Sequence, residues 1–170
     1  MAAPAEQGRV NTYQWLLRAL GAYLDEQPSC RISIAEVPDG FLVRFQRTFQ
    51  RLDPEVYRFD YERLREQLET LFNERKTLGP VRHEGIWSSF PNGHADFFRA
   101  LGYELDQESA RSVLIDELDD GIIVTYFRIE NDGWKKRMVF LSVDDIEKML
   151  HAAYARRSEN VVEAHAPARA

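Results

Sequence analysis

Cysteine is almost missing from this chain: Cys30 is the only one. A single thiol excludes an intramolecular disulfide and any zinc site built from several cysteines. Beside a strand it reads as a small core or edge residue, with a reactive thiol as the alternative. No apolar run reaches 18 residues, so no transmembrane helix is expected. Met1 to Val10 lacks the apolar stretch of a signal peptide. The expected location is the cytoplasm, with no membrane partner. Gly-Xaa-Ser-Xaa-Gly, a phosphate-cradling glycine-rich loop and a dinucleotide fingerprint are all lacking. The histidines are His83, His94, His151 and His165, and none stands at metal-ligand spacing from another histidine, the cysteine or a carboxylate. His94 falls in the first turn of a helix, where a surface role is expected. His151 falls in the last turns of one, where a cation suits the dipole. No catalytic residue, metal ligand or cofactor is therefore expected. An excess of positive charge is lacking too: 22 Lys and Arg face 28 Asp and Glu, for a net charge of -6. That balance argues against a general nucleic-acid binder, which needs a basic face.

What the chain does have is apolar content and a repeat. Hydrophobic residues make up 44% of 170, enough for a packed core in one pseudo-symmetric domain or two small ones. Arg18-Ala19-Leu20-Gly21 returns as Arg99-Ala100-Leu101-Gly102, and the shift of 81 positions holds without a gap through Arg47 and Arg128. Along it Leu24, Asp25, Ile34, Glu36, Asp39, Gly40, Val43 and Arg47 also recur, giving 12 identities in 30 positions. Average composition gives about two by chance. A duplicated supersecondary unit is expected.

Each unit reads helix, strand, strand, strand, helix. Asn11 and Asn92 stand where the opening helices would be capped. Leu16, Ala19, Leu20, Tyr23 and Leu24 form one apolar stripe, and Phe97, Phe98, Leu101 and Leu105 the other. Ile32 and Ile34 alternate with polar neighbours as a half-buried strand, as do Phe41, Val43 and Phe45, matched by Ile122, Val124 and Tyr126. Pro38-Asp39-Gly40 and Asp119-Asp120-Gly121 read as tight turns in which glycine takes φ > 0. The third strands are expected near Val56 to Phe59 and Arg137 to Leu141. Asp60 and Ser142 are expected N-caps, Ser142 forming a capping box with Asp145. Phe59 with Leu64, and Leu141 with Ile146, are placed as hydrophobic staples. The boundaries follow: 1–10 a disordered N-terminus, 11–74 the first unit, 75–92 a linker, 93–157 the second unit and 158–170 a disordered tail.

The linker is longer than the usual 4–6 residues or so. Its Ile86, Trp87 and Phe90 are too apolar for a solvated tether. They read as a clip packed across the two units, with an exposed anchor for a partner as the alternative. The acidic run Asp116, Glu117, Asp119, Asp120 does not match an EF-hand loop and reads as a solvated hairpin tip, or else as a contact for a basic partner. Two basic groups stand out: Arg44, Arg47, Arg51 and Arg58, and Arg128, Lys135, Lys136 and Arg137 beside Trp134. A basic sheet face with aromatics binds single-stranded nucleic acid in some modules. The competing reading is protection of strand edges. The same element order occurs in the double-stranded RNA-binding domain, which needs lysines where this chain has Asp60-Tyr61-Glu62 and Ser142-Val143-Asp144-Asp145. Carboxylates there repel phosphate.

Arg99-Ala100-Leu101-Gly102, then Ser112-Val113-Leu114-Ile115-Asp116, then Asp120-Gly121-Ile122-Ile123-Val124-Thr125-Tyr126 resemble the opening half of the type III secretion chaperone-like fold, which includes bacterial YbjN-type proteins. Ala19-Leu20-Gly21, Ile32-Ser33-Ile34 and Gly40-Phe41-Leu42-Val43 repeat the pattern. The resemblance implies a small, acidic, non-enzymatic protein that binds other proteins. It differs in carrying the unit twice.

The expected fold is therefore α+β: a duplicated αβββα unit with antiparallel sheets flanked by helices about a pseudo-two-fold axis, the two copies burying their stripes together or joining their sheets. The expected function is a non-catalytic protein-binding or chaperone-like module, with Trp87, Phe90, Trp134, Arg44, Arg47 and Arg58 as candidate contacts. The alternative is a nucleic-acid-associated module using the arginine face. An enzyme site assembled between the two units from distant residues stays open.

Overall fold

A computed structural model describes residues 12–50, 53–73, 81, 83–90 and 93–165. Helix α1 (Tyr13–Asp25) leads into β1 (Cys30–Val37), β2 (Gly40–Gln46), β3 (Glu55–Asp60) and α2 (Tyr61–Asn73). A 3-10 turn, Gly85–Ser89, precedes α3 (His94–Gln107), β4 (Arg111–Glu117), β5 (Gly121–Glu130), β6 (Gly133–Ser142) and α4 (Val143–His165). The fold is α+β.

The six strands make one antiparallel sheet in the order β3-β2-β1-β4-β5-β6. The two three-stranded halves join through β1 and β4, where Ser33 faces Asp116, Ile34 faces Ile115 and Ala35 faces Leu114. Period-two alternation sends Ile32, Ile34, Phe41, Val43, Phe45, Val113, Ile115, Ile122 and Val124 to one face, and all are buried. The expected stripes of α1 and α3 meet that face, and Leu64 of α2 and Ile146 and Leu150 of α4 complete the same core. Each such side chain contributes roughly 1.5–3 kcal/mol on burial.

Helices α1 and α3 cross antiparallel at close range. A Cβ on Gly21 would sit 2.5 Å from the His94 carbonyl oxygen, and one on Gly102 would be 2.5 Å from the carbonyl carbon of Tyr13. The recurring Leu-Gly pair is thus a helix-crossing device, placing each glycine against the other helix's first turn. Strands β1 and β4 both carry a bulge, between Cys30 and Ser33 and between Arg111 and Leu114, with φ of 50° at Arg31 and 53° at Ser112.

Several local expectations change. Gly40 and Gly121 do not take positive φ; that conformation belongs to Gly85 and to Gly133 at the β5–β6 turn. Glycine is required at 40 and 121 because a Cβ would run into the carbonyl oxygens of Phe59 and Leu141 on the neighbouring strands. The cap positions of α1 and α3 are Thr12 and Gly93, neither with a side-chain cap bond; Asn11 and Asn92 lie outside the described residues. Asp60 does hold the next helix, its Oδ1 accepting from the Arg63 N–H at 2.7 Å. Ser142 and Asp145 form the capping box, Asp145 N–H to Ser142 Oγ at 3.2 Å and Ser142 N–H to Asp145 Oδ2 at 3.0 Å. Strand β6 begins at Gly133, earlier than expected, because the two-residue turn extends its ladder with β5. Helix α4 continues past 157 to His165. Residues 1–10, most of 75–82 and 166–170 lie outside the described residues. No described helix is long and apolar enough to cross a membrane.

Candidate functional site

The carboxylate of Asp25, at the last position of α1, reaches the start of α3. Its Oδ1 accepts from the His94 backbone N–H at 3.0 Å and its Oδ2 from that of Ala95 at 3.0 Å. These are orphan donors of the helix's first turn, and a carboxylate there also suits the dipole. Asp106, one residue before the end of α3, accepts from the Tyr13 and Gln14 N–H groups at 3.0 and 3.1 Å. Burial pushes the Asp106 carboxyl upward, against the pull of those two donors.

Histidines gather only at the Asp25 end. His94 Nδ1 lies 2.9 Å from Asp25 Oδ1 and the ring is fully buried. A carboxylate partner puts the proton on Nδ1 and leaves the lone pair on Nε2. His83 arrives from the segment before the 3-10 turn and is also buried. Its Nδ1 accepts from the Ser29 N–H at 3.2 Å, with Ser29 Oγ at 3.3 Å. The two imidazoles meet edge-on with centroids 4.5 Å apart, and Trp87 stacks on His94 at 4.1 Å. Burial first, and then the neighbouring His94, pull His83 down to about 4. Burial also lowers His94, against the Asp25 carboxylate. Both rings are therefore neutral near pH 7. Neither Nε2 atom has a hydrogen-bond partner. Ligand atoms of Asp25, His83 and His94 all lie within 4.8 Å of one another.

This cluster was hidden from spacing rules. Its members lie at 25, 83 and 94, on three segments, and the surface role expected of His94 is replaced by full burial. The signal available in the sequence was His94 standing where the other unit has Tyr13, together with an apolar linker that the first unit lacks. Ser29 is fully buried beside His83. Cys30 is buried as well, and desolvation pushes its thiol up to about 11, away from reactivity.

The other expected site residues scatter. Trp87 is fully buried against Phe97 and Phe98, and Phe90 packs at the core margin, so this pair clips the fold together. Arg47 is held by Glu55 through Nε at 2.6 Å. Arg58 pairs with Asp39. Arg44 is exposed on the outer face of β2 and makes no ion pair among the described residues. Trp134 is 59% exposed, paired with Ile129 on the same outer face.

Among the described residues that outer face carries no helix, since the four described helices pack on the other side. Along β5 and β6 it presents the cross-strand pairs Ile129–Trp134, Phe127–Lys136, Thr125–Met138 and Ile123–Phe140. Ile129 and Met138 are 66% and 63% exposed, and Phe140, Phe127 and Leu114 are exposed beside them. A separate groove of about 750 Å³ opens where β1, β2 and β4 meet the 3-10 turn, lined in part by Arg31, Arg44, Phe49, Asp116 and Glu117. Desolvation pushes Glu117 up to about 7 despite backbone donors from Arg31 and Ile32. Trp87 Nε1 also draws Glu117 down, although Trp87 Nε1 and Glu117 Oε1 meet no partner within strict hydrogen-bond geometry. No protein-family model, curated protein or solved structure matches the chain.

Proposed function

We propose that this protein is a non-catalytic binding module, built from a duplicated αβββα unit, that docks a protein partner on the open face of its sheet. The carrying observation is the contiguous apolar strip of Phe127, Ile129, Trp134, Met138 and Phe140 on a face with no helix over it among the described residues. Monomeric soluble proteins rarely leave such strips bare, and aromatics with Met are enriched in interface cores. Lys136 stands inside the strip and Arg44 further across the face, both without an ion pair among the described residues. The partner is accordingly a protein surface with apolar side chains flanked by carboxylates.

Duplication is supported by counterparts 81 positions apart: Asp25 and Asp106 as reciprocal caps, Gly21 and Gly102 at the helix crossing, Arg31 and Ser112 at the bulges. Ile34 faces Ile115, its own counterpart, which is where a pseudo-two-fold axis would pass. A non-catalytic role is favoured by the burial of the histidine cluster found among the described residues.

The test is a photo-crosslinking residue in place of Met138, with the exposed Arg65 as control. A discrete protein adduct is expected from 138, absent from 65 and lost when Phe140→Asp is added. Adducts only to RNA, only to a second copy, or none above the control would overturn the reading.

A further inference from the structure

Corresponding positions of the two halves are filled unequally. In the first half, Tyr23 of α1, Phe45 of β2 and Tyr57 and Phe59 of β3 form one aromatic cluster. Tyr23 meets Phe59 edge-on with centroids 4.9 Å apart, and Phe45 stacks on Tyr57 at 6.0 Å. The shift of 81 puts Glu104 where Tyr23 stands and Tyr126 where Phe45 stands. Val43 faces Tyr57 across its ladder and Phe41 faces Phe59; in the second half Val124 faces Val139 and Ile122 faces Leu141. Four rings thus become a carboxylate, one ring and two aliphatic side chains. The neighbours do not take up the space. A pocket of about 240 Å³ opens there between α3, α4 and the β5–β6 ladder, lined by Leu101, Leu105, Tyr126, Val139, Leu141 and Met149. Glu104 and Glu108 stand at its rim, both exposed. Glu108 is paired with Arg128, whereas Glu104 has no ion pair among the described residues.

We propose that this pocket binds a small aromatic molecule carrying an ammonium group, of the arylalkylamine class. The first half shows what shape the space accepts, since rings occupy it there. An apolar cavity of about 150 Å³ already admits benzene, so 240 Å³ accommodates a ring with a short side chain. Tyr126 offers a ring for edge or offset contact, and the Met149 thioether suits an aromatic edge. A pocket that is apolar inside with one placed charge at the rim is the usual plan of a small-molecule site. Here that charge is the Glu104 carboxylate, which favours a cation and disfavours an anion. The pocket lies on the helix-bearing side of the sheet, so it is separate from the outer strip on which a protein partner docks and does not depend on it.

The probe is phenethylamine, with toluene as its neutral analogue and phenylacetate as its anionic one. The methionine methyl groups of the full chain report binding by NMR. Phenethylamine should shift the Met149 methyl through its ring current and leave that of Met138, on the outer face, in place. The dissociation constant should be on the order of 0.1–1 mM, the range for so few atoms. Toluene should bind about two- to fivefold more weakly, as one exposed charge contact is worth, and phenylacetate more weakly still. Glu104→Gln should erase the preference for the cation and keep toluene binding. Val139→Tyr, which restores the ring found at position 57, should fill the pocket, keep the thermal midpoint and abolish binding of all three probes. Leu141→Phe, which restores the ring found at 59, gives the same reading if tyrosine at 139 lowers the midpoint. A Met149 methyl unmoved by every probe, shifts equal at Met138 and Met149, no preference for the cation, or binding undiminished in the filled variants would overturn the proposal.

Discussion

Asp25 and Asp106 each lie in the last turn of one helix and hold the first turn of the other, through carboxylate bonds of 3.0–3.1 Å to backbone N–H groups. The two helices therefore fold as a mutually capped pair. Neither carboxylate has a role in an isolated helix.

The caps differ in what they leave behind. Asp106→Ala should cost about 1 kcal/mol, the usual value of a lost cap. Asp25→Ala should cost about 2–3 kcal/mol, because it also strands the buried Nδ1–H of His94. Urea denaturation measures both. Equal losses would count against donation from His94 to Asp25.

Gly21→Ala and Gly102→Ala oppose propensity to packing. Intrinsic preference favours alanine in a helix by about 1 kcal/mol. The added Cβ, however, would meet backbone atoms of the other helix at about 2.5 Å. Forcing the helices apart should win, with each variant losing about 2 kcal/mol or more. Stabilisation by either substitution would mean that the helices do not cross so closely.

Glu117 gives a pH signature. Its carboxyl is raised to about 7, first by burial, while in the unfolded chain it titrates near 4.3. Between those values the folded state holds the proton and the unfolded state does not, so this group's contribution to stability falls as pH rises from about 4.5 to 7. The loss is at most about 4 kcal/mol. Unfolding free energies of Glu117→Gln against the wild type at pH 5 and pH 7.5 should converge at the lower pH and favour the variant at the higher one.

The open face should be dispensable for folding. Met138→Thr and Phe140→Thr keep strand preference and remove side chains that are already exposed, so stability should change by less than about 1 kcal/mol. Ile122→Thr, on the buried face of the same ladder, should cost several times more. Calorimetry of the three variants separates the faces, and crosslinking from position 138 should be weakened by Phe140→Thr.

The alternation of Phe41, Val43 and Phe45 and the stripes of α1 and α3 were readable because each is local: period two and period 3.6 state which face is apolar without reference to a partner. The capping boxes were readable for the same reason, since Ser142 and Asp145 are three residues apart. Gly40 and Gly121 were read as turn glycines with positive φ, and that reading fails: the constraint is the carbonyl of a neighbouring strand and not a left-handed turn. Local turn chemistry cannot distinguish these.

The sequence by itself determined the element order, the repeat, the buried faces and the second-helix caps, because all of these rest on contacts within a few residues or on a pattern compared with itself. Only the tertiary structure decided that the two halves share one sheet through Ile34 and Ile115, that every described helix takes the same side, and that Asp25, His83 and His94 converge. Those outcomes depend on which strand edge meets which and on where the long linker folds back. Sequence separation places no limit on either.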